Sequence, residues 1–70
     1  MYPREYLFHR DGGVTWSLVF DAKSGLWHIE KNDEQAERIR MSLEEFERSP
    51  HGQELSRDYE KALTRAQDDA

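Results

Sequence analysis

The 70-residue chain carries 10 basic and 15 acidic residues, a formal net charge of -5, and no cysteine. A chain this short makes one domain that buries only about 60% of the surface its unfolded form exposes, and without cysteine neither a disulfide framework nor a thiolate zinc site can staple it. Local design and a homodimer are the remedies left. Residues 1–31 hold four charges of each sign, whereas residues 32–70 hold six basic and eleven acidic ones. That acid excess disfavours nucleic acid and anionic membranes as partners and favours a basic protein surface. No apolar run is long enough to span a bilayer, so a cytoplasmic setting is expected.

In chain order, Tyr6 to Arg10, Val14 to Asp21 and Leu26 to Lys31 are rich in aromatic and β-branched residues with period-two alternation, and turn residues bound each run. They predict three strands. Asp11-Gly12-Gly13 suits a three-residue hairpin loop with Gly13 left-handed, which sets Arg10 opposite Val14, Phe8 opposite Trp16 and Tyr6 opposite Leu18. Ala22-Lys23-Ser24-Gly25 suits a type I turn closed by a glycine bulge, with Asp21 capping amides inside it. Asp21 then faces Leu26, Phe20 faces Trp27 and Leu18 faces Ile29. Two turns, taken separately, send Tyr6, Phe8, Val14, Trp16, Leu18, Phe20, Trp27 and Ile29 to one face.

Asn32 to Arg38 reads either as a helical turn begun by Asn32 and Gln35 or as a third hairpin loop. With residues 32–36 as the loop, Ile39 pairs with Ile29 and Met41 with Trp27, and a short fourth strand extends the apolar face. The stretch MSLEEFERSP opens a helix: Ser42 and Glu45 have capping-box spacing, and Met41 and Phe46 occupy the positions of a hydrophobic staple. Ser49-Pro50 interrupts it, with Ser49 expected to cap the restart, and Gly52 weakens the helix further. From Gln53 onward Leu55, Tyr59, Ala62, Leu63 and Ala66 form one apolar stripe. The expected fold is α+β: an antiparallel three- to four-stranded β-meander over residues 1–41, then a C-terminal helical segment over 42–67, kinked near Ser49-Pro50 and packed on one sheet face, and a frayed tail over 68–70.

Several constellations invite a chemical reading. The rings around Phe20 and Trp27 resemble a stacking platform for single strands, but they share a face with Leu18 and Ile29 that a helix must cover, so they read as core. His9 and His28 lie on strands separated by the middle one, roughly 16 Å apart at strand spacings, and no metal site follows. Ser17, His28 and Glu30 can be drawn as a hydroxyl, base and carboxylate set, yet an open strand face supplies no pocket or oxyanion site, so no catalytic residue is assigned. No phosphate loop, nucleotide fingerprint or nucleophile elbow occurs, and no cofactor is expected.

Two surfaces remain for a partner. Leu7, His9, Thr15, Val19, Leu26 and His28 form a mixed strip on the face opposite the helix, suited to a protein partner or to a homodimer. The helix presents Glu44, Glu47, Glu54, Asp58 and Glu60 among basic residues, largely a solvated face with local ion pairs. The expected role is a small, bacterial, non-enzymatic protein-binding module, of a regulatory, antitoxin-like or nuclease-inhibiting kind.

A four-stranded meander entered into a long helix through RIRMSLEEF also resembles the architecture of the PC4-type single-stranded DNA-binding coactivators, in order and rhythm. That resemblance implies a dimerising helix and a single-stranded nucleic-acid surface on the exposed sheet, for which Arg4, Arg10, Lys23, Lys31, Arg38 and Arg40 are the available cations.

Overall fold

The computed structural model describes residues 4–68. Four strands, β1 (Glu5–Asp11), β2 (Val14–Asp21), β3 (Leu26–Asp33) and β4 (Ile39–Ser42), pair in sequence order as one antiparallel sheet. Three helical segments follow, α1 (Leu43–Arg48), α2 (Pro50–Glu54) and α3 (Ser56–Asp68). The fold is an α+β meander with its helices on one sheet face. No helix among the described residues is long and apolar enough to cross a membrane.

The second hairpin follows the sequence closely. Asp21 pairs with Leu26, Phe20 with Trp27 and Leu18 with Ile29. Gly25 takes the left-handed conformation at φ 73°, its N–H donates to the Asp21 carbonyl at 2.8 Å, and the Lys23 N–H donates to Asp21 Oδ1 at 2.9 Å. That amide holds the Asp21 carboxyl below its ordinary 3.8, outweighing desolvation, and the Ser24 hydroxyl and amide and the Arg40 charge add smaller contributions in the same direction.

The first hairpin differs. Its loop is only Gly12 and Gly13, Asp11 pairs with Val14, and Gly12 rather than Gly13 has positive φ, at 61°. Positive φ at the first central residue alone is the pattern of a II′ turn, whose twist matches the strands it joins. The tighter turn slips the pairing by one residue near the loop, so Arg10 meets Thr15 and His9 meets Trp16. A bulge at Phe8 absorbs the slip, and Tyr6 meets Leu18 as expected.

The third loop also shifts. Asp33 begins it, accepting the Gln35 N–H on Oδ1 at 3.0 Å and the Ala36 N–H on its carbonyl at 3.0 Å. The loop is therefore residues 34–38, and Ile39 pairs with Lys31 and Met41 with Ile29, two residues from the expected partners. Since the shift is even, Ile39 and Met41 keep their predicted face.

The helical layer begins as the sequence implies. Ser42 and Glu45 form the capping box, and Ser49 ends α1 and caps α2 with Pro50 at its first turn. A further break at Leu55, φ -100° and ψ 13°, divides α2 from α3. α3 runs through Asp68, and residues 69–70 of the expected tail lie outside the described residues. The core joins Trp16, Leu18 and Ile29 from the sheet to Phe46 of α1 and Tyr59, Ala62 and Ala66 of α3. Phe8, Phe46 and Tyr59 stack edge to face or tilted, with centroids 5.0 to 6.0 Å apart. Trp27 and Tyr6 pack against this core from its margin, and Phe20 lies beyond them against Trp27, at 5.2 Å.

Candidate outer-face and β4-edge binding site

Because alternate side chains leave the sheet on opposite sides, the helices that cover Trp16 and Leu18 leave bare the face bearing Ser17 and Glu30. Cross-strand pairs lay that outer face out in rows: Glu5, Val19, His28 and Ser42; Leu7, Ser17, Glu30 and Arg40; Arg10, Thr15 and Asn32. Leu7 and Leu26 are 50% and 67% exposed, while Thr15, Val19 and His28 on the same face are half-buried. His9 is not part of this strip. The bulge turns it to the helix side, where Nδ1 lies 3.5 Å from the Asp58 carboxylate.

The centre of the outer face is deeper than an open strand surface implies. Ser17 is 2% and Glu30 5% exposed. A buried carboxylate needs counter-charge, and Glu30 Oε1 has three cationic or potentially cationic neighbours: Arg40 Nε at 3.4 Å, Arg38 Nη1 at 3.7 Å and His28 Nε2 at 3.8 Å. Arg38 is fixed further by its Nε, which donates to Asn32 Oδ1 at 2.9 Å. His28 Nε2 is buried and makes no hydrogen bond, so Ser17, His28 and Glu30 do not form a hydrogen-bonded relay. The sequence pointed to the face but not to this cluster. Its signal was available in the opposite charges of Glu30 and Arg40, which favour each other across a strand pair.

The acidic helical residues are spread over separate surroundings. Glu44 pairs with Arg48 at 2.8 Å, one helical turn on. Glu47 Oε2 accepts the Tyr59 hydroxyl at 2.7 Å. Burial, and then that carboxylate, push the Tyr59 hydroxyl well above its ordinary 10.0. Glu54 and Glu60 are exposed and Asp58 is held beside His9. An open groove of about 450 Å³ between α1 and the start of α3 is lined by Glu47, Gln53, Ser56, Tyr59, Glu60 and Leu63. Among the described residues no group of three or more His, Cys, Asp or Glu side chains is arranged to hold a metal ion.

No family model, no curated protein and no solved structure matches this chain.

Proposed function

We propose that the chain is a small non-enzymatic protein-binding module, regulatory, antitoxin-like or nuclease-inhibiting in kind, that docks its partner on the outer face of the sheet. The observation that carries the reading is the uncovered strip in which Leu7 and Leu26 stand half or more exposed beside Thr15, Val19 and His28. Apolar side chains on a face without helical cover, rimmed by charge, have the make-up of a contact surface. Glu44, Glu54 and Glu60 on the helical side add a negative field that speeds encounter with a basic partner. A bacterial cytoplasmic setting and a homodimer in solution belong to the same reading.

Single-stranded nucleic acid is the alternative, drawn from Arg10, Arg38 and Arg40 on the same side of the sheet. Capture from the native host with the tagged chain tests the choice. Binding by the module predicts one stoichiometric protein that Leu7→Asp with Leu26→Asp releases, and Glu54→Lys with Glu60→Lys slows. Tight, salt-sensitive binding of a fluorescent single-stranded oligonucleotide would overturn it, as would capture indifferent to both variants.

A further inference from the structure

We infer that the free edge of β4 receives, as an added strand, a locally acidic extended segment of the otherwise basic protein partner, with Arg38 and Arg40 taking its carboxylates; this rests on the binding-module reading above.

A sheet of order β1-β2-β3-β4 has two edges, and they are not equivalent. β1 is broken by the bulge at Phe8, a device that blunts an edge against further pairing. β4 pairs with β3 from Lys31↔Ile39 through His28↔Ser42 without a shift, and its sequence, Ile-Arg-Met-Ser, contains no proline and no charge on the helix side. On that side Ile39 is 46% exposed, with Met41 half-buried next to it. An incoming strand therefore finds an uncovered edge with an apolar margin over roughly 13 Å, four residues at strand rise, up to Ser42, whose N–H is already taken by Glu45 Oε1.

The outward side of the same edge supplies charge already held in place. Glu30 draws Arg40 through Nε and Arg38 through Nη1, and Asn32 accepts from Arg38 Nε. A guanidinium carries five N–H donors, so this leaves Arg40 both terminal nitrogens and Arg38 its Nη2 without an acceptor among the described residues. Two positive groups share one carboxylate, and a second carboxylate balances them. Fixing the guanidiniums beforehand lowers the ordering cost of binding it. The edge thus selects alternation: acidic side chains toward Arg38 and Arg40, apolar ones toward Ile39 and Met41.

Charge also decides between occupants. A second copy paired antiparallel through β4 about Arg40 would set these arginines against their own counterparts, where like charges directly opposite are unfavourable. A nucleic acid would extend its phosphates beyond the edge to α1, which begins at once with Glu44 and Glu45 in its first turn. An acidic segment no longer than β4 itself meets the arginines without reaching those carboxylates.

The probe is a labelled, end-blocked pentapeptide, Val-Glu-Val-Glu-Val, followed by fluorescence anisotropy and amide chemical-shift mapping, with its glutamine isostere as control. The expected result is saturable binding at least tenfold tighter than the isostere's, with shifts concentrated on residues 38–42. Because Arg40→Ala strips counter-charge from buried Glu30, the protein-side change is Glu30→Gln with Arg38→Gln and Arg40→Gln, which removes the carboxylate and both guanidiniums together and is expected to abolish the preference for glutamate. Equal binding of the isostere, shifts centred elsewhere, an oligothymidylate of equal charge binding as tightly, or no binding would each overturn the inference. Should Glu30→Gln with Arg38→Gln and Arg40→Gln still capture the native partner while Leu7→Asp with Leu26→Asp loses it, strand addition is wrong and the binding-module reading survives.

Discussion

Replacing Gly52 with alanine sets helix propensity against close packing, and the two predict opposite signs. In an exposed helix interior the change stabilises by about 1 kcal/mol, because glycine surrenders more backbone freedom than alanine. At Gly52, which is buried, an added Cβ would lie 1.8 Å from the Phe46 carbonyl oxygen and 2.7 Å from its carbon. Ordinary contact begins at 3.4 Å, so the two segments must part by about 1.6 Å. That carbonyl cannot swing aside freely, since it accepts the Ser49 N–H at 3.1 Å and the Ser49 hydroxyl at 2.7 Å. Moving α1 also moves Phe46, the largest fully buried side chain. The expected cost is about 3 kcal/mol, at the upper end for overpacking. Domains of this size have roughly 3.5 to 10 kcal/mol in all, so the variant stands near unfolding. Urea titration followed by tryptophan fluorescence reads the difference, since Trp16 is buried beside Phe46, at 5.4 Å. An alanine variant as stable as the parent, or more so, would refute the close approach of α1 to α2.

Ser49→Ala removes both the bond to the Phe46 carbonyl and the cap on the Gly52 N–H, 3.0 Å away, and is expected to lower stability by about 1 to 2 kcal/mol in the same titration. Asp21, its folded pKa depressed, adds stability that is present above the ordinary 3.8 and lost as pH falls through the lowered folded value. Carboxyl resonances should show Asp21 titrating below 3.8, with the Lys23 amide following it; titration at or above 3.8 contradicts the turn. Tyr59 is the reverse case: its raised pKa gives stability that is whole below 10.0 and lost as pH climbs through the folded value. Ultraviolet difference titration, with Tyr59→Phe as the blank, should find one tyrosine still protonated above 10.0 until the chain unfolds.

The sheet was legible where local chemistry and alternation agree. Asp21 and Gly25 specify a turn that fixes its own register, and Phe20, Leu18, Trp27 and Ile29 fall on the expected side without help from the rest of the molecule. The bulge at Phe8 was not, because no glycine or proline marks it. The two-residue turn creates the slip, and the ring of Phe8 reaching Phe46 and Tyr59 places it. His9 consequently joins Asp58 instead of the outer strip. Alternation also put Glu30 on the outer face without revealing its burial, which depends on Arg38 and Arg40 arriving with a strand whose register Asp33 sets. Gly52 shows the same limit from another side: propensity sees a weak helix former, and only packing shows why nothing larger fits.

The sheet has two separate characters, rings gathered under the helices and the aliphatic side chains of Leu7 and Leu26 left exposed outside. Nuclear Overhauser contacts measure that division directly. They should connect Trp16 with Phe46 and Phe8 with Tyr59, and connect neither Leu7 nor Leu26 with any of those rings. Contacts from the Leu7 or Leu26 methyls into that aromatic cluster would contradict it.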